Sequence, residues 1–116
     1  MRTTNMLAGV AVKNLDASIG WYASVIGRGP DRRSAQLAEW RFDGCSCLRL
    51  AQAPRAGTES VTLVVDDLDQ QLEQIEAAGL RLRKRHEADA VRLAILADPD
   101  GNQLVLAQVL SAALAC

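Results

Sequence analysis

Three kinds of side chain in this sequence could take part in chemistry: a mid-strand arginine, a Cys-x-Cys pair and a single histidine. Arg49 lies in the run Cys45 to Ala51, where strand alternation turns it away from Leu48 and Leu50 and towards a concave face. A guanidinium removed from water needs a partner. A protein carboxylate, Glu39 or Glu59, can supply one. A carboxylate, phosphate or enolate on a ligand can equally occupy its planar fork with two hydrogen bonds. Cys45 and Cys47 share that strand, and as a pair they could ligate a soft metal. They lack a second pair or a nearby histidine, so they read as small residues lining a core or cavity. His86 stands on a later strand with no adjacent acid or nucleophile, and we assign it no role. Trp40, beside Glu39, can stack on a planar ligand or serve as core or dimer interface. Tyr22 reads as core, and Trp21 as core or interface. No nucleophile–base pair occurs at recognisable spacing, so no catalytic residue is assigned.

The elements that must position these groups come from an internal repeat. Val10-Ala-Val-Lys-Asn-Leu-Asp16 returns half a chain later as Leu63-Val-Val-Asp-Asp-Leu-Asp69. Each copy is an apolar strand that steps through Asn/Asp-Leu-Asp into a helix, and each helix stops at a glycine, Gly27 or Gly79. Leu15, Ile19, Tyr22 and Ile26 form one apolar helix stripe, and Leu68, Leu72, Ile75 and Ala78 the other. The strands predicted around them are Leu7 to Lys13, a weakly marked one near Gly29 to Arg33, Gln36 to Phe42 and Cys45 to Ala51. In the second half they are Ser60 to Val65, Leu80 to Glu87, Val91 to Ala97 and Gln103 to Val109. Asp98-Pro-Asp-Gly-Asn102 is a turn in which proline presets φ and glycine supplies a positive φ. Ser111 to Cys116 reads as a frayed tail.

The expected fold class is α+β: two tandem βαβββ modules, residues 1–53 and 54–116, in a curved mixed sheet around a cavity with helices on the outer face. Alternation sends Leu7, Gly9, Ala11, Cys45, Cys47 and Arg49 to the concave face, joined by Ser60, Thr62, Val64, Gln103, Val105 and Ala107. This mixed, small-residue set suits a ligand cavity better than a dry core.

With 116 residues and 49% hydrophobic content, the chain suits one compact domain. Thirteen basic and fourteen acidic residues leave a net charge of −1, with no block of either sign. Arg81-Leu-Arg-Lys-Arg85 alternates as a solvated edge strand would, and the basic stripe with stacking aromatics that nucleic acids require is missing. No apolar run reaches the roughly 20 residues of a membrane span. The start of the chain carries no signal-peptide core, and three cysteines make no disulfide framework. A cytoplasmic protein is expected.

These motifs resemble the vicinal oxygen chelate superfamily, the glyoxalase/bleomycin resistance/dioxygenase fold. The matching pieces are Val12-Lys-Asn-Leu-Asp16 with Trp21-Tyr22 and Gly27, then Val65-Asp-Asp-Leu-Asp69, Gly79 and Asp98-Pro-Asp-Gly-Asn102. The resemblance implies a divalent metal held from four strands, at positions that fall on Leu7, Arg49, Ser60 and Val105. Leucine and valine have no donor, arginine repels a cation and serine alone is a poor ligand. No metal and no cofactor are therefore expected. The resemblance then implies a binding protein of the drug- or metabolite-sequestration type. Its cavity residues would be Arg49, Ser60, Trp40, Cys47, Leu7, Thr62, Gln103 and Val105. Its ligand would be a small neutral or anionic molecule, aromatic ones included, rather than cationic bleomycin, and the protein would be a homodimer. The alternative is a lyase, isomerase or dioxygenase-like enzyme with an atypical or absent metal site. There Arg49 would stabilise an oxyanion while Ser60, Cys47 or His86 moved protons. A third reading is an interaction module that keeps only the fold.

Overall fold

Eight strands and two helices alternate as two copies of one unit in the computed structural model, which describes residues 1–3, 6–88 and 90–110. The first copy comprises β1 (Met6–Val12), α1 (Leu15–Ile26), β2 (Arg32–Arg33), β3 (Leu37–Phe42) and β4 (Ser46–Gln52). The second comprises β5 (Ser60–Val64), α2 (Leu68–Ala77), β6 (Lys84–Glu87), β7 (Val91–Ala97) and β8 (Gln103–Val109). Each copy makes a four-stranded mixed sheet in the same order, β1-β4-β3-β2 and β5-β8-β7-β6. The first strand pairs in parallel with the last, and the remaining ladders are antiparallel.

The repeat is visible down to single hydrogen bonds. Asn14 caps α1 by accepting from Ala17 N, and Asp67 caps α2 by accepting from Gln70 N, each at 3.2 Å. Both satisfy a first-turn amide that has no partner within its helix. A second amide in each first turn is met by a glutamine from the last strand. Gln52 Oε1 accepts from Leu15 N at 3.0 Å, and Gln108 Oε1 accepts from Leu68 N at 2.9 Å. Strand and helix are thereby locked together at equivalent places in both copies.

The core lies between sheets and helices. Val10, Val12, Ala38, Trp40, Leu48 and Leu50 meet Leu15, Ile19, Tyr22 and Val25. In the second copy Val61, Ala94, Leu96, Leu104 and Leu106 meet Leu68 and Ile75, and both groups belong to one buried cluster. Strand period two thus sorts helix-side residues from open-side residues as the alternation predicts.

A polar joint ties the two copies. Asp98 and Asn102 are buried, and every polar atom of theirs has a partner. Asn102 Oδ1 accepts from Gly57 N at 2.9 Å and Glu59 N at 3.0 Å. Its Nδ2 donates to Ala11 O at 2.8 Å and Asp98 Oδ2 at 2.9 Å. Asp98 also accepts from Tyr22 Oη at 2.9 Å. Gly57 takes φ +100°, and a Cβ there would collide with the Asp100 carbonyl, so only glycine passes.

Four local expectations differ from what is observed. The strand near Gly29 to Arg33 reduces to Arg32–Arg33, and that predicted over Leu80 to Glu87 begins only at Lys84. Cys45 is not in β4 but in the preceding turn, at φ +62°. The register sets Phe42 opposite Ser46, so the loop between the two strands, which the predicted strand ends at Phe42 and Cys45 confine to Asp43 and Gly44, spans Asp43, Gly44 and Cys45. The predicted tail, Ser111 to Cys116, lies outside the described residues.

Candidate functional site

The open face of the first sheet is built by β3 and β4. Glu39 and Arg41 alternate with the buried Ala38 and Trp40, and Cys47 and Arg49 with the buried Leu48 and Leu50. Register aligns them in rows. Arg32 stands opposite Glu39, Glu39 opposite Arg49 and Arg49 opposite Gly9, while the next row is Arg41, Cys47 and Leu7. Gly9 leaves open space where a side chain would sit, and the result is a concavity of about 400 Å³. Its walls are Leu7, Glu39, Arg41, Phe42, Cys45, Ser46, Cys47 and Arg49.

Arg49 is paired inside the protein. Its Nη2 and Nε donate to Glu39 Oε1 at 2.7 and 2.9 Å. Glu59, the other carboxylate considered, instead accepts from Ala11 N at 2.7 Å. The pair is not sealed, since the Arg49 side chain is 39% exposed and that of Glu39 is 15%. Hydrogen bonding from Arg49 holds the Glu39 carboxyl below its ordinary range, against the opposing effect of burial, and the charges of Arg49, Arg32 and Arg41 add to it. The thiol of Cys47 is pushed up, first by burial and then by the Glu39 charge. Cys47 is therefore a thiol at neutral pH and a poor nucleophile.

Of the cavity residues expected from sequence, Leu7, Cys47 and Arg49 come together. Trp40 does not join them. It faces the helix side, fully buried, its ring 6.3 Å from that of Tyr22 and its Nε1 donating to Arg28 O at 2.9 Å. It is core, and no ligand can stack on it. Ser60, Thr62, Gln103 and Val105 lie on the second sheet and do not line this concavity. The cause is topological: β5 and β8 belong to a separate ladder, so sharing a facing direction does not bring them beside Arg49. Val105 and Ala107 are moreover buried, with Ile95 and Leu93 as their cross-strand neighbours. Cys45, placed on the concave face from sequence, also lines it, whereas Glu39, Arg41, Phe42 and Ser46 were not assigned to the cavity. Period two already placed Glu39 and Arg41 on one face, whereas Phe42, Cys45 and Ser46 enter through the three-residue turn.

The four positions that would carry a metal do not fit one. Leu7 and Val105 have no donor atom, Arg49 is cationic and committed to Glu39, and Ser60 sits alone on the other sheet. Among the described residues no cluster of three His, Cys, Asp or Glu side chains could hold a metal ion. His86 is exposed on the edge strand β6 of the second sheet, whereas Cys45 and Cys47 belong to the turn and strand of the first. Among the described residues, no helix is long and apolar enough to cross a membrane.

The sequence model of one family, described as a glyoxalase-like domain, matches residues 8–107. The chain belongs to the glyoxalase-like domain family. That places it in the vicinal oxygen chelate superfamily, as the repeat and the closing turn imply. This glyoxalase-like chain is similar to the glyoxalase/bleomycin resistance protein from Catenulispora acidiphila. The identity is 32% and the TM-score 0.85, with 92% of this chain and 99% of that one covered. Its fold is also that of a bleomycin resistance determinant encoded on the transposon Tn5, at 23% identity and TM-score 0.77 over 94% and 100% of the two chains. TnmS3, an antibiotic-binding protein from Streptomyces, aligns at 21% identity and TM-score 0.77 over 93% and 97%. Among curated protein sequences the chain has no match.

Proposed function

We propose that this protein binds a small organic molecule in the concavity of its first sheet, as a sequestration protein for a drug or metabolite rather than as a metal enzyme. One observation carries the reading. The concavity of about 400 Å³ is lined by two guanidiniums, one carboxylate, two thiols, a serine and the apolar Leu7 and Phe42, and among the described residues no cluster there could hold a metal ion. That volume falls within the range of small-molecule pockets. Three solved relatives lend support by their names: a bleomycin resistance determinant, an antibiotic-binding protein and a glyoxalase/bleomycin resistance protein. The ligand is neutral or anionic, since the lining holds two arginines against one carboxylate. Aromatic ligands are included, with Phe42 as the only ring in the lining. We further propose that the protein works in the cytoplasm as a homodimer.

A thermal-shift screen against aromatic antibiotics, small carboxylates and divalent metals, with and without chelator, tests this. A ligand at 100 times its Kd adds about 2.7 kcal/mol. Binding is located by protection of Cys47 from alkylation. An organic compound that raises the melting midpoint and protects Cys47 supports the reading. A shift that requires a divalent metal overturns it and promotes an enzyme with a rebuilt metal site.

A further inference from the structure

The row Arg32, Glu39, Arg49 and the adjacent Arg41 put three guanidiniums around one carboxylate. Elsewhere the chain pairs such charges locally. Arg28 bonds Asp31, Arg33 bonds Asp16, and Arg85 and Arg92 share Asp69 and Glu87. Asp31, the other carboxylate near Arg41, is already engaged by the Arg28 guanidinium at 2.7 Å and by the Arg41 backbone N–H at 2.7 Å. Among the described residues the side chains of Arg32 and Arg41 form no ion pair. Glu39 is thus the one anion available to a cationic pocket, and it spends both Arg49 bonds on a single oxygen, Oε1. Its other oxygen faces only the Cys47 thiol at 3.9 Å, a distant and weak donor.

A carboxylate in this position is what an anionic ligand group would look like if it were built into the chain. Arg49 presents Nε and Nη2 along one edge of its fork, the geometry that recognises planar oxyanions. Arg41 stands one strand over and one step along, with its charge free and its stem in the cavity wall. A second oxyanion entering the cavity would meet both cations.

We propose that the cavity takes small organic oxyanions (carboxylates, phosphates or sulfonates) through Arg41 and Arg49, and that Glu39 sets the affinity by competing for Arg49 as an internal substitute for the ligand's anionic group. This rests on the reading of the same cavity as the ligand site, and it adds the ligand class and the residue that governs selectivity. Glu39 then rejects weak or diffuse anions, because only a ligand that outbids the intramolecular carboxylate, or is held by Arg41 as well, can settle.

Calorimetric titration with phenyl phosphate, benzoate and the neutral isostere benzamide tests the proposal on the wild type, Glu39→Gln and Arg41→Ala. Hydrogen bonds to charged groups are worth about 1.5–3 kcal/mol, and each 1.4 kcal/mol is tenfold. The expected result is that both oxyanions bind more tightly than benzamide. Affinity for them should rise roughly tenfold or more in Glu39→Gln and fall by a similar factor in Arg41→Ala. Arg41 is exposed, so that variant reports even if Glu39→Gln folds poorly. Oxyanion affinity unchanged in either folded variant, or no preference over benzamide, overturns the proposal. A neutral compound that protects Cys47 in the wild type while no oxyanion binds overturns this proposal and leaves small-molecule binding standing.

Discussion

The hydroxyl of Tyr22, on the first helix, donates to Oδ2 of Asp98, in the closing turn of the second copy, at 2.9 Å and out of contact with solvent. One hydrogen bond therefore spans 76 residues and joins the two halves of the repeat. Burial pushes the Tyr22 phenol well above its ordinary value, and the Asp98 charge pushes it the same way. An unfolded tyrosine titrates near 10. The folded form keeps its proton where the unfolded form loses it, so this contribution to stability is complete below about pH 10 and is lost as pH rises beyond. Tyr22 is the only tyrosine in the chain, so alkaline absorbance reads it directly. Tyrosinate should appear only together with unfolding; a reversible step near pH 10 in the folded protein would contradict this.

Asn102 should matter more than Tyr22. Replacing Tyr22 by Phe removes one bond, and Asp98 keeps the Asn102 side chain and the Asp100 and Asn102 amides. The expected loss is about 1–2 kcal/mol. Asn102→Ala leaves Gly57 N, Glu59 N and Ala11 O without their partner at once. About 3 kcal/mol or more should go. Urea denaturation compares the two, and equal midpoints would refute the ranking.

The paired glutamines give a test of the repeat. Gln52→Ala and Gln108→Ala each orphan one first-turn amide, Leu15 N or Leu68 N. Each should cost about 1 kcal/mol. They sit in different sheets, so the double variant should show the sum to within about 0.5 kcal/mol. A coupling well beyond that, measured by thermal denaturation, would show that the two sheets are not independent at these points.

Cys45 and Cys47 differ in kind despite their spacing. Cys45 is exposed at φ +62°, whereas Cys47 is half-buried and its pKa is raised by burial and by Glu39. Alkylation at neutral pH, followed by peptide mass analysis, should modify Cys45 first. Cys45→Gly should stabilise the fold by about 1 kcal/mol, since glycine adopts that backbone conformation without a Cβ penalty. A destabilised Cys45→Gly would mean the turn is not strained.

What was readable in the sequence was whatever is local and periodic. Helix stripes, the Asn/Asp-Leu-Asp step into each helix, and the sorting of Leu48 from Arg49 follow from neighbours a few positions apart. The partner of Arg49 stayed open between Glu39, Glu59 and a ligand, because only the three-residue loop at Asp43, Gly44 and Cys45 brings Glu39 opposite Arg49; a two-residue turn there would have set Leu48 opposite Glu39. Ser60, Thr62, Gln103 and Val105 do not line the concavity beside Arg49, because alternation gives a face and not the placement of one sheet beside another. Trp40 was left open between ligand and core, and its position two residues from Ala38 and one from Glu39 decides for core only once the pleat is known. Asn102 was legible as a turn residue; its bonds to residues 11, 57 and 59 had no local signal.

The strict alternation along β3 and β4 has a practical consequence for how such a protein can change. Trp40, Leu48 and Leu50 pack on the helix side, while Glu39, Arg41, Cys47 and Arg49 line the concavity on the other. Two independent messages are written on one stretch of chain, interleaved residue by residue. A library randomised at residues 39, 41, 47 and 49 would leave every fully buried side chain untouched, so new selectivities can be sampled without first repairing the scaffold.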